Sequence, residues 1–317
     1  MVQILQKPMS KKPLLICVVG PTAIGKTSLA ISLAKAFYTE VISADSRQFY
    51  KEMTIGTAVP SVEELASVPH HFIQNKSIFQ DYSVGDFERD AITFISQKLG
   101  NNDKTTLRTL IMVGGSGLYV DAVVNGLDKF PSVSSEIRQR LNSKLMEFGI
   151  EHLQEKLKQV DPLLYSKIDL QNPHRVIRGL EIYEASGQPY SSFLNRKSIH
   201  RDFNTIYIGL TAERETIYNR INQRVDYMVA DGLIEEAKEL YEHRYRNALQ
   251  TVGYRELFQY FDGDLSKEEA ISEIKKNTRR FAKRQGTWFR KNPHIHWFDY
   301  QTDISLIINY INKKNAE

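Results

Sequence analysis

A chain of 317 residues has room for one large domain, or for a core with an appended one. Hydrophobic residues make up 41% and charged residues 25%, the balance of a soluble globular protein, and no apolar run approaches a membrane span. The net charge of +4 is modest, and the single cysteine, Cys17, excludes a disulfide framework and a cysteine zinc site, so a reducing, cytoplasmic setting is expected. The stretch Met1 to Lys12 reads as too short and polar for a secretory leader.

The first regular element expected is Leu14-Leu15-Ile16-Cys17-Val18-Val19, apolar and β-branched, which reads as a buried parallel strand. Gly20-Pro21-Thr22-Ala23-Ile24-Gly25-Lys26-Thr27 follows and fits the phosphate-loop pattern G-x-x-x-x-G-K-[ST]. Ala30, Leu33, Ala34 and Phe37 then recur at helical spacing, which completes the strand, glycine loop and helix that the pattern requires. The glycines let backbone N–H groups approach a phosphate, and the helix start adds positive potential. Lys26 supplies a point charge, and the Thr27 hydroxyl is placed for a magnesium ion. The loop specifies a pyrophosphate or polyphosphate; it does not specify ATP.

Glu40 to Asp45 reads as a second parallel strand ending in a carboxylate, so Asp45 belongs near the phosphate loop as a metal ligand, a base or both. Residues 46–60 read as loop and short structure. The neighbours His70-His71 read as packing or capping residues rather than a metal pair. Phe87, Ala91, Phe94, Ile95 and Leu99 mark a helix, and Thr109 to Val113 a third buried strand that runs into Gly114-Gly115-Ser116-Gly117. That strand ends in glycines where many ATPases carry a magnesium-holding Asp.

Near Leu127 the texture changes to helical patterns alone, carried by Ile137, Leu141, Leu145 and Phe148 and then by Ile150, Leu153, Leu157 and Val160. Asp161-Pro162 and Asn172-Pro173 mark further helix starts. This reads as an all-helical lobe over 128–200 inserted in an α/β core of 12–127 and 201–317. Strand character returns at Thr205 to Leu210. A helix follows with Ile217, Ile221, Val225 and Met228, and its Arg220 and Arg224 project together. Ile274, Phe281 and Trp288, at heptad spacing, read as the core stripe of a long helix over 266–291. Its Lys276, Arg280 and Lys283 form either a solvated face or a track for a nucleic-acid backbone.

Six ordered motifs carry a resemblance: the phosphate loop, Ser43-Ala44-Asp45-Ser46-Arg47-Gln48, Ile55-Gly56-Thr57-Ala58, Val68-Pro69-His70-His71, Val113 to Tyr119, and Gln250-Thr251-Val252-Gly253-Tyr254. Together they resemble the bacterial tRNA dimethylallyltransferases over roughly Leu14 to Trp297, with Ile24 where that family often has Ser and Ser116 where Thr is usual. The resemblance implies a P-loop NTPase-like core with a parallel sheet and a helical insertion. It also implies transfer of a dimethylallyl group from dimethylallyl diphosphate to the exocyclic amine of the adenine 3′ of a tRNA anticodon, with Mg2+ as cofactor; a monomer is the expected working state.

Carried onto this chain, the resemblance gives Thr22 and Arg224 to the diphosphate beside Lys26, and Asp45 to the amine proton. It gives Asp45, Ser46, Arg47, Gln48, Ser116, Arg138, His174, Arg175, Val176, Ile177, Arg178 and Gln250 to Arg255 (Gln250, Thr251, Val252, Gly253, Tyr254, Arg255) to the anticodon stem-loop. A small-molecule kinase, a transferase acting on free adenine nucleotides and a non-catalytic RNA-binding module stand as alternatives. The helical insertion and the basic helix favour a macromolecular acceptor.

Overall fold

The computed structural model describes residues 12–99, 108–194 and 199–317. Residues 1–11 of the N-terminal stretch read as too polar for a leader, and residues 195–198 of the expected lobe, lie outside them. The chain divides into two compact units, the first of 1–124 with 201–317 and the second of 125–200.

In the first unit the apolar run forms β1 (Leu14–Val19), buried throughout, and the loop after it leads into α1 (Lys26–Ala36). Next come β2 (Val41–Ser43), α2 (Val62–Ser67), the two-residue β3 (His70–His71), α3 (Val84–Leu99) and β4 (Thr109–Val113). Expected as a longer strand, β2 stops at Ser43, although the Ala44 N–H still reaches the Val113 carbonyl at 2.7 Å. A helix the sequence patterns did not mark, α4 (Gly117–Asn125), starts directly after the glycines.

The second unit holds α5 (Ser135–Val160), α6 (Pro162–Tyr165) and α7 (Pro173–Ser186). Gly149, at φ 76°, breaks α5 between the two apolar registers read in the sequence. Asp161 and Asn172 cap the next two helices through their side chains, a contribution of about 1 kcal/mol each. Leu141, Leu153, Leu157, Leu164 and Leu180 pack this unit's core. Phe148, expected in that core, is 54% exposed instead, because the break at Gly149 ends its register.

The chain then returns to the first unit as β5 (Asn204–Thr211), α8 (Arg214–Ala230), α9 (Leu233–Glu239) and α10 (Tyr254–Asp262). After these come α11 (Lys267–Phe289), β6 (Ile295–Asp299) and α12 (Ile304–Ala316). Ser266 and Glu269 form a reciprocal cap at the start of α11. The six strands make one parallel sheet in the order β3-β2-β4-β1-β5-β6. Because β2, β4 and β1 are neighbours, their carboxyl ends bring Asp45, the Gly114–Gly117 turn and the phosphate loop together.

The stripe expected on α11 needs correction. Phe281 is 39% exposed and Trp288 is 41% exposed, while Ala270, Ile274, Ala282, Gln285 and Phe289 are buried. A straight helix slips by about 20° per heptad, so a seven-residue repeat drifts off the buried face that the 3.6 period keeps. No helix of the described residues is long and apolar enough to cross a membrane.

Candidate active site

A cavity of about 890 Å³ opens beyond the carboxyl ends of the strands in the first unit. Thr22, Ala23, Gly25, Lys26, Thr27, Asp45, Ser116 and Arg224 line it, with Ser46, Arg47, Gln48 and Gln250, Thr251, Val252, Gly253 and Arg255 around them. Gly20, Pro21 and Ile24 are buried beneath the loop. Gly20 adopts φ 143°, and any Cβ there would stand 2.6 Å from the Leu210 carbonyl, so only glycine lets the loop leave the sheet this closely.

Side chains from remote elements hold the loop. Arg220 donates through Nε to the Ala23 carbonyl at 2.8 Å, fixing a residue that sits at φ 62°. Gln285, buried on α11, accepts the Thr22 N–H at 2.8 Å and donates to the Gly115 carbonyl at 3.0 Å. One amide therefore ties the phosphate loop to the turn after β4. A Cβ at Gly115 would collide with it, which accounts for glycine there. Sequence periodicity missed Gln285; a lone Gln on a basic helix carries no signal until the helix is placed.

Gln285→Ala is expected to leave a buried donor and acceptor unpaired, at about 1–3 kcal/mol each, and so to lower the melting temperature and raise KM for whatever phosphate-bearing molecule the loop serves. Thermal melts and steady-state kinetics check it. An unchanged KM would return Gln285 to a packing role.

The electrostatics favour an anion. Lys26 reaches back to the Pro21 carbonyl at 2.7 Å. Burial, reinforced by Arg224 and opposed by Asp45, pulls the Lys26 ammonium down to about 7. Burial also pulls the Arg224 guanidinium down, against the pull of Asp45 and Glu64. Two poorly solvated cations gain when a polyanion enters. Among the described residues, the Asp45 carboxylate takes one hydrogen bond, from the Arg47 N–H at 3.0 Å. Ser116 receives the Ser46 N–H at 3.1 Å and so fixes the segment after Asp45.

Several residues expected at an RNA contact have their side chains engaged within the protein. Gln48 donates to the carbonyls of Thr57 and Ala58, and Arg47 to those of Asn247 and Ala248 at 2.9 and 3.0 Å. Tyr254 is fully buried and donates to Glu236 at 2.6 Å; that carboxylate also takes the N–H groups of Thr54, Ile55 and Gly56. In the second unit Val176 and Ile177 are core residues. The side chains of Tyr254, Val176 and Ile177 are therefore packing residues rather than RNA contacts, because they lie on the inward faces of α10 and α7.

His174 and Arg175 are exposed on α7, while Arg138 and Arg178 share the buried Glu181. On α11, Arg280 and Lys283 are exposed, Arg280 donates to Asn277 at 3.2 Å, and Lys276 pairs with Glu273. His71 bonds Glu40 at 2.7 Å and His70 the Val68 carbonyl at 2.8 Å, which is packing and capping within the sheet edge.

A family profile described as IPP transferase matches residues 48–292. The chain belongs to the IPP transferase family. It is 57% identical over 303 residues to the tRNA dimethylallyltransferase of Flavobacterium johnsoniae, covering 94% of this chain and 96% of that protein. It is 59% identical over 300 residues to the tRNA dimethylallyltransferase of Christiangramia forsetii, covering 95% and 98%. Among solved IPP transferases it resembles the full-length tRNA isopentenylpyrophosphate transferase of Bacillus halodurans, with a TM-score of 0.71 and 40% identity over 96% of this chain and 97% of that one. A eukaryotic dimethylallyltransferase acting on tRNA matches at a TM-score of 0.75 and 28% identity, over 92% and 75%. The core is thus the P-loop NTPase-like fold of that family.

Proposed function

We infer that this protein transfers a dimethylallyl group from dimethylallyl diphosphate to the exocyclic amine of the adenine 3′-adjacent to a tRNA anticodon, releasing diphosphate. The observation that carries the chemistry is one cavity that holds a phosphate cradle, two desolvated cations and a carboxylate. The backbone cradle with Thr22, Lys26 and Arg224 holds the diphosphate and takes up charge as the bond from the allylic carbon to oxygen breaks. The adenine amine forms the new carbon–nitrogen bond, and Asp45 accepts the proton it loses. The target base sits in an RNA loop, so it leaves the stack to enter the cavity.

Thr27 and Asp45 offer a hydroxyl and a carboxylate oxygen on the cavity wall, hard donors that suit Mg2+. Among the described residues no three His, Cys, Asp or Glu side chains form a ready-made metal site. The ion would neutralise diphosphate charge. A tRNA acceptor supports a cytoplasmic location.

The test is direct. Protein, dimethylallyl diphosphate and an anticodon stem-loop are incubated, and the RNA is digested to nucleosides and weighed. The expected product is an adenosine heavier by one isopentenyl unit, with no ATP consumed. A phosphate gain, or ADP released in step with product, would transfer the protein to the kinase class.

For the RNA track, neutralising Lys276, Arg280 and Lys283 together is expected to weaken RNA binding and flatten its salt dependence, by about one unit of slope for each phosphate no longer neutralised. The prior pairing of Lys276 with Glu273 makes its share the smallest. An unaltered slope in a salt titration would identify a merely solvated face.

A further inference from the structure

The loop joining α9 to α10 carries an exposed array of rings and guanidinium planes. Tyr245 is 81% exposed and Phe79, from the loop before α3, is 52% exposed. The Arg244 guanidinium lies 4.2 Å over the Tyr241 ring and 4.7 Å over the Tyr245 ring. Arg246 lies 4.4 Å over Phe79, whose edge meets His243 at 4.9 Å. Among the described residues neither arginine has a carboxylate within ion-pair distance; Arg244 donates to the Tyr241 carbonyl at 3.2 Å, and Asp262 takes the Tyr241 hydroxyl. The two exposed rings, Phe79 and Tyr245, beside cations that no carboxylate neutralises mark a surface built for a partner.

Hydrogen bonds join this array to the cavity. Arg47 donates to the carbonyls of Asn247 and Ala248, and Gln250 donates to the Arg244 carbonyl at 2.6 Å. Arg47 and Gln250 both line the cavity, and Arg47 follows Asp45 by two positions. The array is therefore hydrogen-bonded to the cavity wall through Arg47 and Gln250, without lining the cavity itself.

Alternating guanidinium and aromatic planes match unstacked nucleobases, which bring a π-face and a nearby phosphate charge. An RNA loop that sends one adenine into a cavity leaves the neighbouring bases without a stacking partner. We propose that Phe79, Arg244, Tyr245 and Arg246 form a stacking platform for the RNA loop bases that flank the reactive adenine, with Tyr241 packed beneath Arg244 as its support. This rests on the reading of the protein as a tRNA prenyltransferase. The platform is tolerant of base identity, since stacking reads a face rather than an edge, and it offsets part of the cost of extruding the adenine.

The experiment reads binding apart from turnover. An anticodon stem-loop carrying 2-aminopurine next to the target adenine is titrated with protein in the absence of dimethylallyl diphosphate. Wild type is expected to quench the probe as it stacks. Phe79→Ala with Tyr245→Ala should abolish the quench and weaken RNA binding about 10- to 100-fold, at about 1–3 kcal/mol per base stack. Tyr245→Phe should retain both. Arg246→Lys keeps the charge but loses the plane, so affinity should fall with the salt slope unchanged. The melting temperature and the affinity for dimethylallyl diphosphate should match wild type in all variants, because the altered side chains are exposed.

Wild-type affinity and quench in the double variant would overturn the platform, as would lost affinity with the quench retained. Prenylation by wild type is measured separately. Its failure alongside normal quenching would remove the transferase reading and leave the platform standing.

Discussion

Asp45→Asn is expected to slow the single-turnover rate of prenyl transfer by about 10²–10⁴ while both substrates still bind. Asn keeps the size and one acceptor for the Arg47 N–H, so the turn after β2 should hold. What disappears is the negative charge and the basicity. An adenine amine is a weak nucleophile because its lone pair is delocalised, so losing the proton acceptor falls on the chemical step. The same charge opposes Lys26 and Arg224, so its removal should leave diphosphate affinity unchanged or tighter. A magnesium titration separates the two roles open to the carboxylate. If Asp45 is chiefly a metal ligand, excess magnesium restores much of the rate. Full rescue at saturating metal would refute the base assignment and leave the transferase reading in place.

Lys26→Ala is expected to cost about 10²–10³ in turnover, the usual loss when one preorganised donor to developing charge is removed. The fold should survive, because the ammonium bonds only the Pro21 carbonyl of its own loop. Stability follows from the sign of the shift. Burial depresses the Lys26 pKa to about 7 from an ordinary value of 10.5, so the folded chain holds this proton less firmly than the unfolded chain. The burden is complete below pH 7 and lifts as pH rises from about 7 to 10.5. The alanine variant should therefore melt at or above the wild-type temperature at neutral pH and below, and the difference should vanish toward pH 10.5.

The same shift predicts proton uptake when dimethylallyl diphosphate binds at pH 8, since the anion restores the ammonium. At pH 6 the ammonium is already formed. Calorimetry in two buffers of different ionisation enthalpy reads this directly. Lys26→Arg, which stays charged, should show none of it. Equal heats in both buffers for wild type at pH 8 would show that Lys26 is already charged in the free site.

Features decided within a few residues were open to the sequence. The glycine loop after an apolar run determined β1, the phosphate cradle and the start of α1, since backbone freedom and helix-start geometry are local. Asp161, Asn172 and Ser266 announced their helices because a cap bonds an N–H two or three residues ahead. The strand endings placed Asp45 near the loop, because parallel sheets collect their ligands at carboxyl ends.

Pairings between remote segments were decided only by the tertiary structure. The edge strand β3 is two histidines long and carries no local strand signal, and pairing with β2 makes it a strand. Whether Phe281 or Gln285 faced inward depended on where α11 docks, and a seven-residue repeat misjudged a stripe that follows a 3.6 period. Tyr254 could not be told from an RNA contact until Glu236 was seen holding its hydroxyl. Gln285 meets Thr22 from 263 positions away, and sequence order holds no record of a hydrogen bond that exists only once the sheet, the loop and the last long helix have packed.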